Sequence, residues 1–417
     1  MYCIKNVRCI DPSYGLDEIT DVLIEGNKVK KIGRCEEDGI DGSGCILTCG
    51  FVDTHVHFRD PGFTYKADME TETKAALKGG YTAVICMANT KPVIDSVELY
   101  EEVMSRAEKL PLRIFQASSI TKGLAGRELV DFKALKDAGV KVFTDDGRPL
   151  LDDVLCEEAM HYAKRFDTIL SFHEEDPKWI AQAGVNEEIA PSIGLQGASA
   201  YSEDIMVARD CLLALKTGAR VNIQHISSRG AVEMVRSAKK LGAKVYAEVT
   251  PHHFSLTQEA VLKHGTYAKM NPPLRSEADR IALIEGLKDG TIDCIATDHA
   301  PHTDEDKLVE FSKAMSGIIG LETALSLGIT YLVKPGYLTL QQFIRCMSIN
   351  PAEIYGLPCG HLVEGGLADL VMFKMDEEVC YKEYQSKAHN SPFTDQKLFA
   401  EVVLTMIDGQ IVYQKGE

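Results

Sequence analysis

Two histidines separated by one residue, His55 and His57, are the first feature of the sequence that could do chemistry. They lie at the end of an apolar run, residues 51–57, that is typical of a β-strand. Side chains two positions apart on a strand point to the same side, so both imidazoles could bind one metal ion. Taken alone, the pair would also suit core or surface histidines of a hydrophobic strand.

Further metal-binding side chains stand at the ends of other apolar runs. They are Asp145 and Asp146, His173, His225 and Asp298. If each run is a strand of one parallel barrel, the strand ends meet at one mouth and these groups converge there. Nitrogen and oxygen ligands suit zinc or manganese more than copper or an iron–sulfur cluster. The sequence therefore predicts a site for one or two divalent ions, with only one of the two neighbouring aspartates facing inward.

Short β-branched or apolar runs recur along the chain, and most intervals between them contain a helical pattern. The candidate strands are 51–57, 82–87, 112–117, 140–144, 168–172, 221–225, 244–249 and 292–297. The candidate helices are 66–78, 96–109, 128–137, 151–165, 203–216, 231–241 and 277–288. A strand, a helix and two loops need about 30 residues, so this spacing indicates repeated βα units. Eight units predict an α/β protein with a (β/α)8 barrel of the TIM type.

The two ends of the chain show short alternating runs and turn residues instead. Asp408 and Gly409 separate two β-rich runs, which is a strong hairpin signal. We therefore expect both ends to be β and to pack together. The predicted domains are a composite β-sandwich of residues 1–49 and 361–417, and a metal-dependent hydrolase barrel of residues 50–360.

The composition is that of an ordinary globular protein, with 45% hydrophobic and 26% charged residues. The formal net charge of −17 disfavours binding to phosphate backbones or anionic lipid, so neither nucleic acid nor a membrane is an expected partner. Twelve scattered cysteines without a CxxC pair fit reduced thiols better than disulfides. With no secretory leader pattern and no apolar run long enough to span a bilayer, the predicted location is cytoplasmic.

Several longer motifs are spread in order over the chain. They are 55–62 (HVHFRDPG), 79–83 (GGYTA), 87–92 (MANTKP), 143–147 (FTDDG), 249–253 (VTPHH), 270–275 (MNPPLR), 296–302 (ATDHAPH), 390–393 (NSPF) and 408–413 (DGQIVY). This set resembles bacterial type I dihydroorotases, which are members of the amidohydrolase superfamily. The resemblance implies a (β/α)8 barrel with a β-sandwich made from both termini. It also implies a zinc-dependent cyclic amidohydrolase that interconverts N-carbamoyl-L-aspartate and L-dihydroorotate in de novo pyrimidine biosynthesis.

The resemblance also implies roles for the residues that match. The implied metal ligands are His55, His57 and Asp298 for a first ion, His173 and His225 for a second, and Asp146 for both. Many relatives have a carboxylated lysine at this place. This chain has Asp-Asp-Gly there, which is also the sequence of bacterial type I dihydroorotases, so no carbamate is required. Asp298 would be the catalytic base that returns its proton to the departing ring nitrogen. The implied cofactor is Zn²⁺, one or two ions per chain.

Four residues are implied in substrate binding: Arg59, Asn89, Asn271 and His302. Arg59, Asn89 and His302 would bind the substrate carboxylate, for which a guanidinium is a bidentate partner. Asn271 would hold the amide edge of the ring. Ordinary alternatives are an ion pair of Arg59 with Asp60 or Asp68, and a turn role for Asn89. By contrast, the adjacent pair His252 and His253, and His299 beside Asp298, are predicted to be structural.

A long segment follows the last barrel strand, and we call residues 303–317 the lid segment. Long loops in compact domains are usually functional, and in similar proteins this one closes over the substrate or contacts it through backbone groups. Many relatives read Ala-Pro-Phe-Gly where residues 314–317 read AMSG. The change removes a stiffener and an apolar surface, which leaves the contacts of the segment open.

Two other functions remain as alternatives. One is a different cyclic amidase, a dihydropyrimidinase, hydantoinase or allantoinase; Asp146 in place of a lysine, and the pair Arg59 and Asn89, argue against it. The other is a non-catalytic dihydroorotase-like scaffold for aspartate transcarbamoylase, which would be expected to have lost ligand residues. Similar proteins are commonly homodimers, so we expect a homodimer and leave an association with aspartate transcarbamoylase open.

Overall fold

Strands form the framework of the protein, of which a computed structural model describes residues 2–416. The first five are β1 (Tyr2–Asp11), β2 (Leu16–Glu25), β3 (Lys28–Ile32), β4 (Gly39–Asp41) and β5 (Ile46–Cys49). The next eight are β6 (Phe51–Val56), β7 (Tyr81–Cys86), β8 (Arg113–Gln116), β9 (Val142–Phe143), β10 (Ile169–Phe172), β11 (Arg220–Ile223), β12 (Val245–Val249) and β13 (Cys294–Ile295). The last three are β14 (Leu370–Cys380), β15 (Lys397–Ile407) and β16 (Gln410–Gln414).

Strands β6 to β13 form a parallel barrel. β6, β7 and β8 pair in one sheet and β9 to β13 in another. Parallel bridges from Val56 to His299 and from Ser118 to Phe143 join the two sheets into a ring. Every predicted barrel strand is present, with ends that differ by at most two residues. Strands such as β7 and β10 are buried along their whole length, as expected when helices cover a parallel sheet.

Helices follow the barrel strands. They are α1 (Met69–Lys78), α2 (Val97–Ala107), α3 (Phe132–Ala138), α4 (Asp153–Arg165), α5 (Tyr201–Thr217), α6 (Arg229–Lys240), α7 (Pro251–Ser255), α8 (Ala260–His264), α9 (Glu277–Asp289), α10 (Asp304–Lys307), α11 (Ala324–Gly328), α12 (Leu340–Ile344) and α13 (Asn350–Tyr355). The start of α3 lies later than predicted because Asp131 caps it, accepting a hydrogen bond from the Ala134 amide at 2.9 Å. The fold prediction is confirmed.

Both chain ends contribute to one sheet, in the order β16-β15-β14-β5-β1-β2-β3 with β4 on β1. The antiparallel pair of β5 and β14 joins the two ends, and Val371 and Phe373 of β14 belong to the same apolar core as Phe51 of the barrel. Most pairs in this sheet are antiparallel, with only β4 and β5 running parallel to β1 among residues 2–416, whereas strands β6 to β13 pair in parallel. This change supports the domain limits 1–49 with 361–417 and 50–360, which we retain as a proposal.

Across residues 2–416, no helix has both the length and the apolar character that a membrane span requires.

Candidate active site

The two histidines of β6 and its C-terminal end face the barrel mouth together. His57 Nε2 lies 3.0 Å from Asp298 Oδ1 and 3.4 Å from Asp146 Oδ2. His55 Nε2 lies 3.4 Å from Asp146 Oδ1 and 3.5 Å from Asp298 Oδ1. All four side chains are buried. The structure therefore brings together the residues predicted for the first metal.

The residues predicted for the second metal lie beside them. His173 Nδ1 is 2.9 Å from His225 Nε2 and 3.5 Å from Asp146 Oδ1. Ligand atoms of His55, His57 and Asp146 lie within 4.8 Å of one another, and so do those of Asp146, His173 and His225. Asp146 thus belongs to both groups. The metal-binding roles themselves stay a proposal.

The neighbouring aspartates at the end of β9 face opposite ways. Asp145 Oδ1 accepts hydrogen bonds from the backbone amides of Ile120, at 2.7 Å, and Thr121, at 3.1 Å. Burial raises the pKa of Asp145 to about 6. Burial would likewise raise the pKa of Asp146, but His55 and the other facing imidazoles lower it well below its usual value. Asp146 is therefore the inward aspartate, and Asp145 ties β9 to the segment after β8.

Three of the predicted site residues have left-handed backbone conformations, which non-glycine residues rarely adopt. The φ angles are 60° at Arg59, 31° at His225 and 48° at Asp298. Such conformations cost about 1–3 kcal/mol each and persist where the surrounding structure imposes them, often at functional sites. Asp53 helps to impose the one at Asp298: its carboxylate accepts from Thr297 Oγ1 at 2.6 Å and from the His55 amide at 3.1 Å.

Buried glutamates orient two of the imidazoles, and the sequence patterns predicted neither of them. Glu248 of β12 lies with Oε1 2.7 Å from His55 Nδ1, and Glu175 lies with Oε2 3.0 Å from His173 Nε2. A carboxylate can only accept, so Nδ1 of His55 carries the proton and Nε2 presents its lone pair to the site. The available signal for Glu248 was a charged residue inside the otherwise apolar strand β12, whereas Glu175 lies beyond the end of β10.

Replacing Glu248 with glutamine is expected to weaken metal binding by about 10–100-fold, as loss of such orienting partners usually does. Both oxygens of Glu248 face donors: Oε1 lies beside His55 Nδ1, and Oε2 accepts from Thr54 Oγ1 at 2.9 Å and Asn222 Nδ2 at 3.1 Å. A glutamine amide has one accepting oxygen and cannot accept on both sides. Competition with a chromophoric chelator measures the affinity, and Glu158→Gln, at an exposed position of α4, is the control. Unchanged zinc affinity in a folded E248Q protein would contradict the orienting role.

The residues present fit a divalent metal. Among residues 2–416, the buried His55 Nε2 has no hydrogen-bond partner, so its lone pair is available to a cation. Burial opposes protonation of His55, but Asp146 and Asp298 raise its pKa well above the usual value. Positive charge is therefore favoured between these two carboxylates. Imidazole and carboxylate donors together suit Zn²⁺.

A cavity of about 470 Å³ opens beside this cluster and is lined by all four predicted substrate residues, Arg59, Asn89, Asn271 and His302. Asn271 Oδ1 is buried and has no hydrogen-bond partner in the described part of the chain. The Arg59 guanidinium donates to the Pro301 carbonyl at 3.2 Å and lies 3.2 Å from His302 Nε2. Burial and the nearby Arg59 lower the pKa of His302.

The ordinary alternatives for Arg59 do not occur in the described chain. Asp60 pairs with Arg106 at 2.7 Å, and Asp68 pairs with Lys387 at 3.4 Å. Arg59 has no carboxylate partner within 4 Å among residues 2–416, so the guanidinium keeps capacity for an anion. Its role in substrate binding stays a proposal.

Asn89 lies between the predicted metal ligands and the cavity. Its Nδ2 donates to Asp146 Oδ2 at 2.9 Å, and its Oδ1 is 3.0 Å from His57 Nδ1. The side chain therefore orients two predicted ligands, which is more than a turn residue does. Contact with the substrate would come in addition and stays a proposal.

The histidines predicted to be structural make structural contacts. His253 Nε2 lies 3.0 Å from the Pro272 carbonyl, and His299 Nε2 lies 2.6 Å from Glu72 Oε2. His252 differs, because its buried Nε2 has no hydrogen-bond partner within residues 2–416 and burial lowers its pKa to about 3. It stands as a neutral imidazole behind the site.

Comparison with known proteins agrees with this geometry. Residues 46–412 match the Amidohydrolase family. The chain is 55% identical to the dihydroorotase of Clostridioides difficile, covering 99% of this chain and 100% of that protein. It is 49% identical to the dihydroorotase of Clostridium acetobutylicum and 48% identical to that of Lactococcus lactis, with 99% of this chain covered in both comparisons and 100% and 99% of those proteins, respectively.

Among solved structures, the L-hydantoinase (dihydropyrimidinase) of Arthrobacter aurescens superposes with a TM-score of 0.90 at 26% identity, covering 100% of this chain and 97% of that one. A D-hydantoinase from Thermus sp., at 24% identity, superposes with a TM-score of 0.87 over 100% of this chain and 96% of that one, and shows the shared fold. The family match spans most of the chain, and the dihydroorotases are the relatives with the higher identity. The chain therefore belongs to the amidohydrolase family and, within it, to the dihydroorotases.

Proposed function

We propose that this protein catalyses the reversible cyclisation of N-carbamoyl-L-aspartate to L-dihydroorotate. The observation that carries the proposal is the cavity lined both by the Asp298 carboxylate, 3.0 Å from His57 Nε2, and by the guanidinium of Arg59, which has no carboxylate partner among residues 2–416. The reaction needs a carboxylate that can move a proton, and its substrate carries a carboxylate that a cation can bind. Full-length identity to dihydroorotases supports the same choice.

Six residues would hold the metal. His55, His57 and Asp298 would hold one ion, His173 and His225 a second, and Asp146 both. We propose Zn²⁺ as the ion. When bound, such an ion polarises an amide carbonyl and lowers the pKa of water.

Asp298 would move the proton. Burial would raise its pKa, but His55 and His57 lower it below its usual value, so the side chain is a carboxylate at neutral pH. During hydrolysis, the oxygen of water bonds to the ring carbonyl carbon, and Asp298 takes the proton that this water loses. As the carbon–nitrogen bond breaks, Asp298 returns the proton to the departing ring nitrogen. Ring closure runs the same steps in reverse and releases water.

The cavity would select an anionic substrate. Besides Arg59, the buried Lys66 lies with Nζ 3.2 Å from His302 Nδ1 and 2.9 Å from Asp306 Oδ2. An ammonium group can only donate, so it fixes the proton of His302 on Nε2, which lies 2.8 Å from the Ser316 carbonyl. Arg59, Asn89 and His302 would bind the substrate carboxylate, and Asn271 the amide edge of the ring.

Ultraviolet absorbance of L-dihydroorotate tests the proposal. We expect the zinc-loaded protein to consume dihydroorotate, and the chelator-treated protein to lose this activity and regain it with Zn²⁺. Hydantoin, dihydrouracil and allantoin should react far more slowly, because none carries a carboxylate on the ring for Arg59 to bind. Turnover of one of these rings without turnover of dihydroorotate would replace the proposal with another cyclic amidase. Absence of both metal and turnover would favour the scaffold function.

The cellular setting is also a proposal. We propose a cytoplasmic protein, since its twelve cysteines are free thiols and most are buried, as in a reducing compartment. We also propose a homodimer, which light scattering after size-exclusion chromatography would test. Association with aspartate transcarbamoylase is testable by co-elution of the two proteins.

A further inference from the structure

Two buried lysines hold the lid segment over the cavity. Lys307 is fully buried, and its Nζ donates to the carbonyls of Met315 at 2.8 Å and Gly317 at 3.0 Å. Lys269 is 3% exposed, and its Nζ donates to the carbonyls of Phe311 at 2.7 Å and Ala314 at 2.6 Å. Four carbonyls within seven residues of the lid segment are thus bound by two ammonium groups.

Further contacts fix the same end of the segment. The Gly317 amide donates to the Lys269 carbonyl at 2.9 Å, and Asn390 Nδ2 donates to the Gly317 carbonyl at 3.1 Å. Gly317 has a φ of +115°, and a Cβ there would lie 2.6 Å from the Ala300 Cβ. Glycine is therefore needed at this position. These contacts replace the stiffness that the sequence AMSG lacks by comparison with Ala-Pro-Phe-Gly.

The electrostatics of this arrangement are unusual. Within residues 2–416, neither Lys269 nor Lys307 has a carboxylate partner within 4 Å. Burial, followed by the charge of Lys269, lowers the pKa of Lys307 to about 7. Buried cations without a counter-ion are costly, and carbonyl dipoles offset only part of this cost. An anion in the cavity, which Lys269 and residues 312–317 line, would offset more of it.

We infer that Lys269 and Lys307 are positioning residues that hold the lid segment in its substrate-binding conformation and make that conformation more stable when the cavity holds an anion. The inference rests on the proposed function for the identity of that anion. A neutral ring would bind under the same lid without the electrostatic gain. The two lysines thereby contribute to selection of a carboxylate-bearing substrate without touching the reacting atoms.

The test uses Lys307→Met and Lys269→Met, which keep an unbranched apolar side chain and remove the ammonium group. We expect KM for dihydroorotate to rise by about ten-fold or more, because a released loop must be ordered again on binding, while kcat changes by less than about three-fold. Lys216→Met, at an exposed position of α5, should leave both constants unchanged. A merely structural role would instead lower the melting temperature and the active fraction at constant KM.

Limited trypsin digestion reads the loop directly. Lys313 is 71% exposed, and cleavage after it, followed by mass spectrometry, should be slow in the native protein. Dihydroorotate should slow it further, whereas dihydrouracil should not, and both lysine variants should be cut faster and lose this protection. Cleavage in the unliganded protein tests whether the two lysines hold the lid segment, even if the proposed activity fails.

Unchanged KM and unchanged cleavage in folded variants would overturn the inference. If either variant does not fold, the other decides. If neither folds, amide exchange in the native protein decides: the Met315 and Gly317 amides, which donate to Asp306 and Lys269 carbonyls at 3.0 Å and 2.9 Å, should exchange slowly. Exchange at the rate of an open loop would refute the inference that the lid segment is held in place.

Discussion

Asp298→Asn is expected to lower kcat for dihydroorotate by about 10³-fold or more, since general acid–base catalysis alone contributes about 10²–10⁴-fold. Asparagine matches the shape of aspartate but cannot take up the proton that the attacking water loses. The substitution also replaces a charged oxygen that lies 3.0 Å from His57 Nε2. Initial rates in both directions, with bound zinc measured on the same samples, check the prediction.

The control for this variant is Asp137→Asn, an exposed position on α3 that pairs with Lys133 on the surface. It should retain the native rate. If D298N binds zinc normally and loses less than about ten-fold in kcat, another group moves the proton, and the catalytic role of Asp298 is wrong.

Arg59→Met is expected to lower kcat/KM for dihydroorotate by about 10²–10³-fold, since loss of one partner of a buried charge pair costs about 2–5 kcal/mol. The guanidinium lines the cavity beside the predicted metal ligands, and Asp60 and Asp68 already have other partners. Methionine fills similar volume without charge. Steady-state kinetics with dihydroorotate and with dihydrouracil measure the effect.

The comparison of substrates makes this prediction specific. Activity on the neutral ring, where it can be detected, should change little in R59M, and Arg127→Met at an exposed position should behave as the native protein does. An equal loss for both rings would indicate that Arg59 supports the loop through its bond to the Pro301 carbonyl rather than the substrate carboxylate.

Much of the site could be predicted because strands obey local rules. The alternation of side chains placed His55 and His57 on one side, and the parallel strand order placed His173, His225 and Asp298 at the same mouth. The contacts of the lid segment could not be predicted in this way. Residues 314–317 (AMSG) gave no indication of what holds them, because the supporting ammonium groups come from Lys269 and Lys307 outside the tetrapeptide.

The barrel, the β-rich ends and the candidate metal ligands could be predicted from the sequence, because each depends on periods of two residues or on spacings of one βα unit. The groups that support these candidate ligands are visible only in the tertiary structure. Glu248 reaches His55 across 193 residues of chain, and Asp145 turns toward the segment after β8 while Asp146 turns toward the histidines. Contacts of this range depend on how the barrel closes, and no local pattern encodes them.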